Sequence, residues 1–262
     1  MTALTLAARD SGTMLRRNLK HALRYPSLTL IVAGMPIVFL LMFVYVFGGT
    51  LGAGLGGEAA GGRTEYANYL APGILILTVA GGGQGTAISI AMDMTEGIIA
   101  RFKTMAISRA AVLTGHVVGT MIQTALGLVA VVAVALLVGF RPDANVFEWA
   151  AAIGLLALVA LALTWFCAAC GLAAKSVETA SNIPMPLLLL PFLGSGFVPT
   201  DSMPPVLQQF AEHQPFTPII ETLRGLLTDR PIGNQAWVAL AWCAAIGLVG
   251  YLWSKRLYNR EG

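Results

Sequence analysis

Six stretches of this chain run for twenty residues or more without one Asp, Glu, Lys or Arg. They occupy 28–47, 70–92, 114–140, 149–174, 179–200 and 235–254. A helix needs about 20 apolar residues to cross about 30 Å of hydrocarbon, whereas a membrane-spanning strand needs about 9–11. Inside the bilayer every backbone N–H and C=O must be satisfied by the protein itself, so only helices and closed barrels cross it. Runs of this length therefore predict an all-α membrane protein with six transmembrane helices. Only 11% of the residues are charged and 56% are hydrophobic, against about 25% charged in a soluble domain. The fifth run is the least regular, because Pro184, Pro186 and Pro191 interrupt it. The first run is expected to stay in the protein. A 27-residue basic leader precedes it, and its core exceeds the roughly 7–15 residues of a secretion signal.

Lys and Arg placement sets the orientation. Twelve cations fall on one side: Arg9, Arg16, Arg17, Lys20, Arg24, Arg101, Lys103, Arg109, Lys175, Lys255, Arg256 and Arg260. Four fall on the other: Arg63, Arg141, Arg224 and Arg230. Both termini are thus expected in the cytoplasm. The expected organisation is a cytoplasmic amino-terminal segment over 1–27, a six-span domain over 28–254 and a cytoplasmic tail over 255–262.

Amphipathic segments lie between and before these runs. In 11–26, Leu15, Leu19, Ala22 and Leu23 share one helical face while Arg16, Arg17, Lys20 and Arg24 share the other. Apolar side down and basic side toward anionic headgroups predicts an interfacial helix in contact with membrane lipids. The Gly-rich stretch 48–69 reads as a flexible outer loop. Beyond the fifth run, 201–234 holds two short amphipathic pieces divided by Pro215 and Pro218. Val206, Leu207 and Phe210 stripe the first, and Ile219, Ile220, Leu223 and Leu226 or Leu227 the second. They read as re-entrant or outer helices. Gly81 and Gly85, Gly115 and Gly119, and the Gly81–Gly82–Gly83 cluster offer close helix approach.

Catalytic and cofactor motifs are weak. Cys167 and Cys170 lie mid-span without a nearby His or acid, where apolar surroundings keep thiols protonated; they read as packing residues. "GLAAKS" at 171–176 lacks the glycines of a phosphate-binding loop, with Ala169 and Ala174 in their places. His21, His116 and His213 show no metal spacing. No bound cofactor, metal or nucleic-acid partner is expected.

Ion-coupled carriers place ionisable groups in the membrane, and the six runs contain no Asp, Glu, Lys or Arg, with His116 near the cytoplasmic end of the third. Active transport would then draw on a partner acting at the cytoplasmic surface. The internal cytoplasmic segment large enough for this is "DMTEGIIARFKTMAISRA", 93–110. On a helical wheel Asp93, Glu96, Arg101 and Lys103 share one arc, opposite Ile98, Phe102 and Met105. Such a helix could dock a partner or could be an ordinary solvated connection.

Three regions carry a resemblance. The first is the basic amphipathic segment leading into "MPIVFLLMFVYVFGG". The second is "YLAPGILILTVAGGGQGTAISIAMDMTEGIIARFKTMAISRAAVLTGH", with Asp93, Gly97, Arg101, Ser108 and Arg109. The third is "PLLLLPFLGSGFVPTDSMPP" followed by "QPFTPIIETLRGLL". Together they resemble the membrane subunit of ATP-binding cassette exporters of the type-2 permease class, close to the daunorubicin/doxorubicin-resistance permeases. One departure is Ala106, where that family often has proline before the Ile-Ser-Arg run. The resemblance implies two permease copies, as a homodimer or heterodimer, with two separate ATPase subunits that bind ATP and magnesium. It implies coupling to the ATPase through Asp93, Glu96, Gly97, Arg101, Phe102, Lys103, Met105 and Arg109. It also implies an outer gate at Ser195, Gly196, Phe197 and Pro199. The implied function is export of a hydrophobic or amphipathic drug or antibiotic from a bacterial cell, by a chain that is not itself an enzyme. Lipid or glycan export, or an ATPase-independent channel, stand as alternatives; an intramembrane enzyme fits less well.

Overall fold

The computed structural model describes residues 26–50, 62–97 and 109–260. The expected interfacial helix with Arg16, Arg17, Lys20 and Arg24 lies outside the described residues. So do Arg101, Phe102, Lys103 and Met105. Among the described residues all regular structure is helical. In chain order these are α1 (Pro26–Met42), continued by a π-helical turn (Phe43–Phe47), α2 (Gly62–Thr95), α3 (Arg109–Val138) and α4 (Val146–Ala173). Two short helices follow, α5 (Val177–Asn182) and α6 (Met185–Leu189), then a 3-10 turn (Thr200–Ser202). The chain closes with α7 (Pro205–His213), α8 (Phe216–Thr228) and α9 (Gln235–Arg260).

Among the described residues, five helices are long and apolar enough to cross a membrane: Val32–Thr50, Gly62–Thr95, Leu113–Val138, Val146–Ala173 and Gln235–Tyr258. The fifth expected span, 179–200, is not one continuous helix. It forms α5, then α6, then a succession of turns from Leu190 to Phe197. The prolines explain this. Each removes a backbone donor, and its ring clashes with the carbonyl four residues back. Ser176 caps the start of α5 by accepting from the Thr179 amide, which fixes where the helix begins but not how far it runs.

The bundle is organised around α2, which packs on α1, α3, α4, α5, α6 and α8. Its spanning window is 72% buried and that of α4 is 61%, while α1, α3 and α9 reach 22%, 22% and 17%. Small residues put α2 at the centre. Gly82 faces the Thr124 side chain of α3, and Gly83 faces Cys167 of α4. On α4, a Cβ at Gly171 would come within 2.6 Å of the Ala87 carbonyl oxygen. Gly81 and Gly85 face open space, so that spaced pair is not an internal packing seam; its immediate neighbours do the packing.

Two further expectations change. The Gly-rich loop was expected to reach residue 69, but α2 begins at Gly62. Tyr66, Tyr69, Leu70 and Gly73 recur at helical spacing, so the apolar face continues past the point where charge ends the uncharged run. Glu65 in the first turn complements the helix dipole. The outer pieces are divided at 214–215 alone. Pro218 sits in the first turn of α8, where a missing N–H costs no helical bond. Ile219, Ile220, Leu223 and Leu227 of α8 are fully buried against α2, α4 and α9. The α7 stripe is not covered: Val206 is 85% exposed and Phe210 48%.

Candidate functional site

A chain that unwinds among membrane helices leaves carbonyls that helical bonding no longer satisfies. Each has to find a donor elsewhere, because an unpaired buried polar group costs roughly 1–3 kcal/mol. From the last turn of α5 onward, the broken segment meets this demand with side chains. Gln84 of α2 donates to the Ser181 carbonyl at 2.8 Å. Gln214, between α7 and α8, donates to the Leu190 carbonyl at 3.2 Å. Tyr69 Oη donates to the Ser195 carbonyl at 2.9 Å, and Tyr66 Oη to the Phe197 carbonyl at 3.2 Å.

Arg224 of α8 ties this arrangement together. It is 3% exposed. Its Nη2 donates to the Ser195 carbonyl at 2.7 Å and to the Tyr69 carbonyl at 3.1 Å. Its guanidinium lies 3.8 Å from the centre of the Tyr69 ring. Nη1 pairs with Glu221, one turn earlier on α8 and about a third exposed. A planar, always-charged fork is suited to bridging two carbonyls while stacking on an aromatic face. Arg224 thereby joins α8, α2 and the unwound segment at one point.

Sterics reinforce the contact. Gly73 of α2 abuts Gly196 so closely that a Cβ at Gly73 would lie 2.5 Å from the Gly196 carbonyl oxygen. Phe197 is buried, stacked on Phe192 with centroids 4.2 Å apart and 5.0 Å from the Phe43 ring. Phe43 opens the π-helical turn of α1, a local distortion frequent at functional sites. Thr217 Oγ1 accepts from the Ser195 amide at 3.4 Å and donates to the Ala211 carbonyl at 2.5 Å. Among the described residues, Ser195 Oγ is a buried side-chain oxygen left without a hydrogen-bond partner.

Of the four expected gate residues, Ser195, Gly196 and Phe197 meet in this cluster. Pro199 sits at its rim, where its carbonyl accepts from Ser202 Oγ at 2.7 Å. Sequence reasoning missed Tyr66, Tyr69, Gln84, Gln214 and Arg224. One signal was visible: Arg224 falls beside Ile220, Leu223 and Leu227 on the apolar stripe of α8, an expensive place for a charge without partners.

At the other end of α2, Asp93 and His116 of α3 pair at 3.1 Å, with side chains 13% and 8% exposed. Thr95 ends α2, and Gly97 follows with φ +70°. A left-handed glycine there stops the helix, so Asp93 belongs to the membrane helix and the exposed Glu96 and Gly97 form a turn after it. Arg109 opens α3. The start and end of the 93–110 segment are thereby each rooted in a long helix, α2 and α3.

Comparison with known proteins agrees with this architecture. The family model described as "ABC-2 type transporter" matches residues 10–228. The chain is 29% identical over 231 residues to the daunorubicin resistance ABC transporter permease protein DrrB1 of Streptomyces coeruleorubidus, covering 87% of this chain and 78% of that protein. It is 22% identical over 168 residues to the probable doxorubicin resistance ABC transporter permease protein DrrC of Mycobacterium tuberculosis, covering 64% of this chain and 61% of that protein. Such a permease is the membrane transport subunit, multi-pass in the bacterial membrane and not itself catalytic, and the family implies an ATP-binding cassette partner. With the family model matched across most of its length and apolar helices long enough for a multi-pass protein, this chain belongs to the ABC-2 type transporter family.

Proposed function

We propose that this chain is the permease of an ATP-driven exporter that moves a hydrophobic or amphipathic compound, of the drug or antibiotic class, out of the cell. The observation that carries this reading is the unwound segment held by Tyr66, Tyr69 and Arg224. The segment from α5 to the 3-10 turn is the fifth of six crossings. Its outer half is the gate, and α7 and α8 cap it on the outside. Non-helical backbone at membrane depth is tolerated where it is buried in protein or lines a path. Here its carbonyls bond to side chains rather than to a regular ladder, so donors on α2 and α8 decide where it sits.

Two permeases and two ATPase subunits form the working unit, with ATP and magnesium on the ATPases and both permease termini in the cytoplasm. The segment 93–110 couples the ATPase to α2 and α3. A push there is carried along α2 to Tyr66 and Tyr69 at its far end, because α2 is unbroken over 34 residues. The relatives' printed roles in daunorubicin and doxorubicin resistance support an amphipathic aromatic cargo. The test is reconstitution of the chain with its ATPase in proteoliposomes, following uptake of daunorubicin into inside-out vesicles. ATP-dependent accumulation that is lost without the ATPase supports the reading. Equal transport without the ATPase or ATP would overturn it in favour of a channel.

A further inference from the structure

We infer that the outward face between α4 and α9 is a binding site for one anionic phospholipid of the inner leaflet. Part of this rests on the reading that α9 ends on the cytoplasmic side. α4 and α9 run parallel in close contact. A Cβ at Gly250 would come within 2.5 Å of the Phe166 backbone nitrogen, Gly247 lies on Ala162, and Ser254 Oγ donates to the Trp165 carbonyl at 3.2 Å. Beside this contact the surface dips into an apolar groove of about 320 Å³. Ala162, Ala244 and Gly247 are small residues along it, and Leu161 and Leu248 line it as well. Trp165 and Tyr251 also line it, packed edge to face with centroids 5.1 Å apart.

Charge and length identify the occupant. Lys255 lies one turn beyond Tyr251 on the same face of α9, with Arg256 beside it, and both are exposed. From Ala244 to Lys255 the helix rises about 16 Å at 1.5 Å per residue. Half of a hydrocarbon core of about 30 Å is about 15 Å, so the groove with its basic end matches the depth of one leaflet. An acyl chain fits against the small residues, the aromatic pair sits toward the headgroup, and the two cations meet a phosphate. A second copy of this chain is a poor occupant. Around a two-fold axis along the membrane normal the same patch meets itself, which would set Lys255 and Arg256 against their own mates.

The test is native mass spectrometry of the full chain, delipidated in detergent and titrated with phosphatidylglycerol or with phosphatidylcholine of identical acyl chains. The expected result is one retained phosphatidylglycerol per chain, preferred about tenfold, the scale of two partly screened cationic contacts. Lys255→Gln with Arg256→Gln should remove the preference. Ala244→Phe, which fills the groove from an exposed position, should remove retention. Gly154→Phe, at a site on α4 facing open space, should leave both unchanged. Equal retention of the two lipids, indifference to Ala244→Phe, or displacement of the lipid by daunorubicin would overturn the assignment. Because neither ATPase nor transport enters this measurement, failure of the export reading leaves it intact. The orientation is read separately, from labelling of a Gly262→Cys chain in intact cells by an impermeant maleimide; labelling without permeabilisation would remove the inner-leaflet assignment.

Discussion

Replacing Arg224 with Met removes the clasp while keeping a side chain of similar length and apolar character. Hydrogen bonds to charged groups contribute about 1.5–3 kcal/mol each. Arg224 donates to the carbonyls of Ser195 and Tyr69. Neither is orphaned by the substitution, since Ser195 keeps the Tyr69 hydroxyl and Tyr69 lies within a helix. The low end of the range therefore applies, about 1.5 kcal/mol for each carbonyl. The sum of about 3 kcal/mol is close to a hundredfold in an opening equilibrium, since every 1.4 kcal/mol is tenfold. The assay is hydrogen exchange of the purified protein, read by mass spectrometry over peptides covering 190–199. Exchange of the Ser195 amide should rise by about two orders of magnitude, while peptides within α4 stay protected. Arg224→Lys should recover less than half of the loss, because an ammonium cannot bridge both carbonyls from the plane of the Tyr69 ring. Unchanged exchange at 190–199 would show that Arg224 does not clasp this segment. A matched rise in α4 would equally count against the clasp, because the arginine would then support the whole bundle and not this segment.

Other outcomes follow from the same geometry. Tyr69→Phe should cost about 1 kcal/mol, one neutral hydrogen bond, in thermal melts. Combined with Arg224→Met its effect should exceed the sum of the two single losses, since the Ser195 carbonyl then keeps neither donor; full additivity would show that they act independently. Gly73→Val should destabilise by several kcal/mol, the scale of overpacking against backbone that cannot yield, with the loss seen as lower yield and melting temperature. Wild-type melting would mean that α2 and Gly196 are not in contact. In the coupling segment, Phe102→Asp with Arg101→Glu should reduce co-purification of the ATPase several-fold while membrane insertion stays normal, and undiminished co-purification would remove that docking surface.

Near-complete separation between what was legible and what was not runs along one physical line. The charge-free runs at 28–47, 70–92, 114–140, 149–174 and 235–254 correspond to α1, α2, α3, α4 and α9, because hydrocarbon permits few alternatives to a helix of that length. Ser195, Gly196 and Phe197 were expected at an outer gate through family resemblance, without any view of what holds them. The boundary of α2 was misplaced by two turns, since Gly62 to Tyr69 carries charge and glycine, and only burial of Tyr66 and Tyr69 against the broken segment makes it helix. Asp93 and His116 are 23 residues apart, and nothing local marks them as a pair.

That the chain crosses a membrane, and roughly where, was readable from residues alone, as was the lack of Asp, Glu, Lys and Arg in the six runs. Those conclusions rest on composition and one-dimensional spacing, which transfer free energy reads directly. Helix packing decided how the break in 179–200, which holds Pro184, Pro186, Pro191 and Pro199, is accommodated. The break leaves the Ser181 and Ser195 carbonyls outside a regular helical ladder, and the donors they find stand 97 residues away at Gln84, 126 at Tyr69 and 29 at Arg224. Partners at such separations have no local signature. They are chosen when helices pack, because a carbonyl inside a membrane protein must bond to whatever donor the packing brings within reach.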